Sequence, residues 1–194
     1  MRSTNFTILF ILCVFGLLVL NRLELGATES VVVLRDTGST YQIGHSFKRG
    51  ELIQTGKEEF MEITVGSSAH IYLDENTNLN LKSLSKNNLR FGFGHGRILV
   101  RSTTNEFPLG IDTPTAQNTL TGTEATFIGY DFKKMTSIIP LSGPIHTTIP
   151  LLNQTFDTTT PITIHDVNPP TIETILFDQK TDVRAAFYRW TEQK

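Results

Sequence analysis

The chain of 194 residues has one cysteine, and Cys13 lies inside the longest apolar run. The remainder carries no thiol, which excludes a disulfide, a thiolate zinc site or a cysteine nucleophile there. Alanine is scarce, at 6 residues, against 28 threonines. Threonine is stiff at χ1 and suits strands, whereas alanine is the best helix former, so the balance favours β structure. Charge of one sign is also lacking. The net charge is −2, and beyond residue 27 there are 15 basic against 18 acidic residues, scattered along the chain. That excludes the concentrated basic face of a nucleic-acid binder. No second apolar run follows the first.

The first run is Phe6–Leu20, FTILFILCVFGLLVL, uncharged and preceded by Arg2. Its 15 residues would span roughly 22 Å as a helix, short of a ~30 Å hydrocarbon core. Leu23 and Leu25 could extend it, with Arg22 reaching the interface. The pattern is a targeting one. We read it as a retained single-pass anchor with the N-terminus inside and the body periplasmic or extracellular. The alternative is a signal segment cleaved near Thr28, although Leu25-Gly26-Ala27 is a poor cleavage box.

Beyond Thr28 the apolar residues recur with period two: Met61, Ile63, Val65; Ala69, Ile71, Leu73; Leu79, Leu81; Leu89, Phe91, Phe93; Phe107, Leu109, Ile111. Each set predicts a strand with one buried face. Gly66-Ser67-Ser68, Asp74-Glu75-Asn76, Ser85–Asn88 and Thr103–Asn105 supply turns between them. The pattern continues through Leu120–Tyr130 and Met135–Ile149. The expectation is an all-β, multi-stranded antiparallel or solenoid-like domain after one N-terminal helix, with a short C-terminal helix. We divide the chain into an anchor or signal segment at 1–27, a β domain at 28–152, and a Thr/Pro linker with an amphipathic helix at 153–194. Thr155–Pro161 and Asn168-Pro169-Pro170 read as linker. Ile172 to Trp190 forms a helical stripe, and the alternative there is a short strand at Ile172–Phe177 before a shorter helix.

No motif for catalysis stands out. There is no Gly-x-Ser-x-Gly elbow, no His-Glu-x-x-His and no Walker loop. Gly92–Gly96 opens no helix and predicts a bulge or close backbone approach. His45, His70 and His95 are evenly spaced, and a solenoid could stack them around a metal; unrelated surface histidines are the simpler reading. Asp74 and Glu75, being adjacent on an extended chain, face opposite ways and cannot act as an acid–base pair. Asn5-Phe6-Thr7 and Asn153-Gln154-Thr155 match the glycosylation pattern, a weak signal. Catalytic, metal and cofactor residues are therefore assigned as none.

The order of motifs resembles the FecR domain, the extracytoplasmic part of iron-dicitrate-type bacterial regulators. Gly50–Gly56, Met61–Leu73 with its Gly66-Ser67 turn, Asn76–Leu81 and Gly96–Val100 carry the likeness. It is most specific in Ile111-Asp112-Thr113-Pro114-Thr115-Ala116 and Leu120-Thr121-Gly122-Thr123-Glu124-Ala125-Thr126-Phe127, and it ends in Pro140–Ile145. Gly66, Thr77, Gly96, Thr113, Pro114, Gly122, Thr123, Phe127 and Gly143 are its motif residues. Gly66, Gly96, Gly122 and Gly143 are expected at turns that use positive φ or a missing Cβ. Thr113-Pro114 should end a ladder, since proline has no N–H. Regulators of the family carry a cytoplasmic anti-sigma region before the membrane span, and only Met1–Asn5 stand there in this sequence. The resemblance implies a non-enzymatic module that binds a protein or cell-envelope component, in sensing or regulation. The alternatives are a regulator acting through another transmembrane protein, or an envelope sugar-binding or hydrolytic β protein.

Overall fold

A computed structural model describes residues 30–85, 88–103 and 108–193. The run Phe6–Leu20, and with it the anchor or signal reading, lies outside them, as does Phe107. Among the described residues no helix is long and apolar enough to cross a membrane. The strands are β1 (Val31–Asp36), β2 (Ser46–Phe47), β3 (Leu52–Gln54), β4 (Met61–Val65), β5 (Ala69–Leu73), β6 (Asn78–Ser85), β7 (Asn88–Ser102) and β8 (Leu109–Asp112). They continue with β9 (Gln117–Leu120), β10 (Ala125–Tyr130), β11 (Met135–Ser142), β12 (Ile145–Ile149), β13 (Gln154–Thr158), β14 (Ile162–His165) and β15 (Thr171–Thr174). A 3₁₀ turn at Pro150–Leu152 and one helix, α1 (Ala185–Thr191), complete them.

Two sheets share β7. The first runs β2-β1-β4-β5-β7-β10-β11-β14-β15. The second runs β3-β6-β7-β8-β9-β12-β13. The first half of β7 pairs with β6 and β8, and the second half with β5 and β10. The change falls at Gly96, whose φ is +106°. A residue with Cβ is disfavoured there, so glycine lets one strand turn from one sheet into the other. All pairings among the described residues are antiparallel except β7–β8, so the antiparallel expectation holds and the solenoid-like one does not.

Period two explains the core. Ile63, Val65, Ile71, Leu73, Ile98, Val100, Ile128 and Ile138 of the first sheet meet Ile53, Leu79, Leu81, Phe91, Ile111, Leu120 and Ile145 of the second in one buried cluster. In Tyr72, Leu99, Phe127 and Ile139 the intervening positions are apolar as well. The central strands of the first sheet are therefore buried on both faces. Phe177, Phe187, Tyr188 and Trp190 cover the outer one.

The C-terminal reading needs correction. Thr155–Pro161 is not linker: β13 pairs with β12 from Ile149↔Gln154 to Ile145↔Thr158. β14 and β15 extend the first sheet, with Ile162↔Thr174 to His165↔Thr171. The helix is confined to Ala185–Thr191, so the strand-then-short-helix alternative describes this stretch. Threonine and the scattered isoleucines serve as edge-strand residues here.

Candidate functional site

The residues singled out by the motif fall in five places. Gly66 makes the β4–β5 turn at φ +51°. Thr113 closes the β8–β9 turn: its N–H donates to the Ala116 carbonyl at 2.8 Å, and its Oγ1 accepts from the Ala116 N–H at 3.0 Å. Pro114 sits exposed at the tip, and β8 ends before it, as expected. The buried hydroxyls of Thr115, Thr136 and Thr113 form a chain beneath the turn. Gly122 and Gly143 both pack around Glu124. The Gly122 N–H donates to Glu124 Oε2 at 2.6 Å, and a Cβ on Gly143 would lie 2.8 Å from Glu124 Cγ. Gly143 has φ +70°, whereas Gly122 is outside the left-handed region, so of the two expected uses of glycine positive φ does not apply there. Thr123 is exposed beside it. Phe127 lies under α1, its ring 4.5 Å from that of Tyr188.

Thr77 and Gly96 meet. A Cβ on Gly96 would lie 2.6 Å from Thr77 Cα, which only glycine avoids. Thr77 Oγ1 donates to the Arg97 carbonyl at 3.1 Å and accepts from the Arg97 N–H at 3.1 Å. The Thr77 N–H donates to Thr55 Oγ1 at 3.0 Å, and that hydroxyl donates to the Asp74 carbonyl. Gly94 and Gly92 continue the close approach: a Cβ on either would overlap Asn78 or Lys82, and the β6–β7 register shifts at Asn78/Leu79. The glycine run is a site of bulge and close approach, as its sequence implies.

This bend floors a cleft of about 790 Å³, lined by Gln54, Thr55, Glu75 to Asn78, His95, Gly96, Phe132, Val183 and Arg184. Its far wall is the C-terminal segment, held by ion pairs. Arg184 donates to the Asp74 carboxylate, which is 3% exposed. Arg97 pairs with Asp182 at 3.3 Å and donates to the Tyr188 hydroxyl. Arg35, ion-paired to Glu62, stands 4.6 Å from the Trp190 ring and donates to the Gln193 carbonyl at 2.8 Å. Burial pushes the Asp74 carboxyl up from its ordinary value and outweighs the opposing pull of Arg184. Burial also pushes the Tyr188 phenol well above the usual phenol range; Asp182 adds to this and Arg97 opposes it. These contacts join residues up to 158 positions apart, beyond the reach of spacing arguments.

The histidines do not converge. His45 is tilted against Tyr41 and edge-on to Phe47, His70 meets Glu62 at 2.9 Å, and His95 packs on Phe132. Among the described residues no group of three His, Cys, Asp or Glu could hold a metal ion. Asp74 is buried against Arg184, while Glu75 Oε2 accepts the Glu58 N–H at 2.8 Å. The two carboxylates thus serve separate contacts.

A family model described as "FecR protein" matches residues 51–143, a stretch that contains all nine motif residues. Among solved structures, two of an anti-sigma-factor candidate from Parabacteroides distasonis ATCC 8503, at 1.65 and 2.50 Å resolution, have TM-scores of 0.57 and 0.56. Each is 12% identical and covers 67% of this chain and 61% of that one, so the likeness is one of fold. This chain therefore spans about three fifths of that protein's length. No curated protein matches. The Thr77–Gly96 contact and the Thr113-Pro114 turn lie within the matched stretch, and over residues 51–143 this chain is similar to the FecR family.

Proposed function

We propose that this protein is a non-enzymatic module working outside the cytoplasm, tethered by Phe6–Leu20, whose β domain binds a protein or cell-envelope component in sensing or regulation. The observation that carries the reading is the FecR match on residues 51–143. Its motif residues serve turns and packing, leaving loops and strand edges as the accessible surface. β15 is exposed along its whole length and pairs on one side with β14. Catalysis has no support from the groups described: Asp74, Glu75, Asp182 and Arg184 near the cleft are engaged in ion pairs or backbone contacts, and His95 packs on Phe132. The domain division at 27/28 belongs to the same proposal, while that at 152/153 gives way to one β body that takes in β13–β15.

A second reading is a regulator that acts through another transmembrane protein. The fold likeness to an anti-sigma-factor candidate favours it. One experiment addresses both. Residues Met1–Ala27 are replaced by an unrelated membrane anchor, and co-purifying partners are compared with those of the native chain after cross-linking. Retention of the same partner supports recognition by the β body. Loss of every partner, with the body folded by circular dichroism, overturns it and transfers recognition to the N-terminal segment. External protease should reach the body in opened cells, and an intact cytosolic protein would refute the location.

A further inference from the structure

Phe132 is 89% exposed, unusual for so large an apolar ring. Its turn is fixed. Asp131 Oδ1 accepts the N–H groups of Lys133 at 2.9 Å and Met135 at 3.1 Å, and the Lys134 N–H returns to the Asp131 carbonyl at 3.0 Å. The ring rests on His95, with centroids 4.2 Å apart. It is thus a supported aromatic platform at the mouth of the cleft.

Three amides line the same cleft. Asn76 is held at φ +51° by a backbone that Thr55 and Thr77 pin, and Asn78 lies on the glycine-flattened strand. The side chains of Gln54, Asn76 and Asn78 have no hydrogen-bond partner among the described residues. Each amide presents a donor and an acceptor side by side. A vicinal diol offers the complement, because each hydroxyl both gives and accepts. The charged neighbours are already engaged: Arg184 with Asp74, and Glu75 with the Glu58 N–H. Among the residues that line the cleft, the one arginine, Arg184, already has its countercharge, and there is no lysine. The apolar side chains, Phe132 and Val183, are too few among these amides to form the contiguous apolar centre of a protein interface.

We propose that this cleft binds a neutral sugar unit of a glycan chain, with the C–H face of the ring on Phe132 and its hydroxyls on the amides of Gln54, Asn76 and Asn78. The cleft volume, about 790 Å³, suits such a ligand. The rigid turn and pinned backbone lower the ordering cost of binding. This site is separate from partner recognition and stands or falls without it.

The test is calorimetric titration of the full chain in a zwitterionic, sugar-free detergent with chitotetraose, cellotetraose and maltotetraose, and with tetragalacturonate and inorganic phosphate as charged controls. We expect saturable binding of a neutral tetrasaccharide, tighter than either control. Phe132→Ala or Asn76→Gly should weaken it about tenfold or more, and Phe132→Trp should preserve it. Both weakened positions are exposed, and the glycine keeps the left-handed backbone at 76, so unchanged circular dichroism should accompany the loss. Absence of saturable binding by all three neutral sugars would overturn the proposal. So would tighter binding of a control, or equal affinity in Phe132→Ala.

Discussion

The core between the two sheets is mostly aliphatic and is closed on both sides by strands. The cluster on the outer face of the first sheet is largely aromatic and is closed mainly by the chain from Phe177 to Thr191, with Phe60 against it. The inner core needs no directional contact, because strand alternation delivers one apolar face from each sheet. The outer cover cannot rely on alternation. A seven-residue helix is unstable by itself, and α1 has no side-chain cap. Its attachment comes from aromatic packing and from the Asp74–Arg184, Arg97–Asp182 and Arg97–Tyr188 contacts. One apolar surface is thus built into the topology, and the other is fastened on.

The largest effect should come where the two sheets join. Gly96→Val puts a β-branched residue at φ +106° and against the Thr77 backbone. We expect a loss of about 4–5 kcal/mol in denaturant unfolding, with both regions lost together. A variant as stable as the parent would mean that the sheets do not depend on this crossing.

Next comes a matched pair of truncations. Phe91→Ala, in the inner core, should lower global stability by ~3–5 kcal/mol. Phe187→Ala removes a ring of the same kind from the cover, so its effect should be local: amide exchange should rise across residues 177–191 while the inner strands keep their protection. Equal loss of protection in both regions would erase the distinction between them.

Arg184→Ala leaves the Asp74 carboxylate buried without its countercharge. The expected cost is ~1–3 kcal/mol, less than for a fully enclosed pair because Arg184 is 33% exposed. Adding Asp74→Asn should recover part of it, since a neutral amide needs no countercharge. No recovery would show that packing by Arg184, and not its charge, holds the segment.

The smallest effect at neutral pH belongs to Tyr188→Phe, ~1 kcal/mol. Its signature is in the pH dependence. The Tyr188 phenol is raised above its ordinary value of 10.0. A raised group contributes stability that is fully present below its unfolded value and is lost as pH rises toward its folded one. The cover should therefore weaken above about pH 10 in the parent, and the phenylalanine variant should lose less there. Identical alkaline melting curves would exclude Tyr188 as the titrating group.

The same contrast explains what the sequence disclosed. Met61–Val65, Ala69–Leu73, Leu79–Leu81 and Leu89–Phe93 read as strands because only one of their faces meets the inner core, and they are β4, β5 and parts of β6 and β7. The Gly92–Gly96 run announced close approach because glycine has few other reasons to recur within a strand. Residues 153–183 misled because edge strands lack a strongly apolar face. Thr155, Thr158 and Thr174 look like loop chemistry, and Ile172 and Ile175 fall by chance on a helical stripe. The cleft was illegible for a different reason. Its walls come from β3, β6, β7, the β10–β11 turn and the C-terminal segment, and nothing in local spacing announces that Phe132 and Asn76 will face one opening.

β7 runs from Asn88 to Ser102 and belongs to both sheets. Its first half is the return limb of a hairpin with β6, from Ser85↔Asn88 to Asn78↔His95, one of the most local pairings in the chain. A hairpin closes at small loop-entropy cost and forms early relative to distant pairings. Once it forms, the second half of the same strand already carries the template on which β5 and β10 dock. Neither sheet can then melt while the other keeps a complete β7. The shared strand turns two layers into one cooperative folding unit, nucleated from the middle of the chain and propagated outward to both ends.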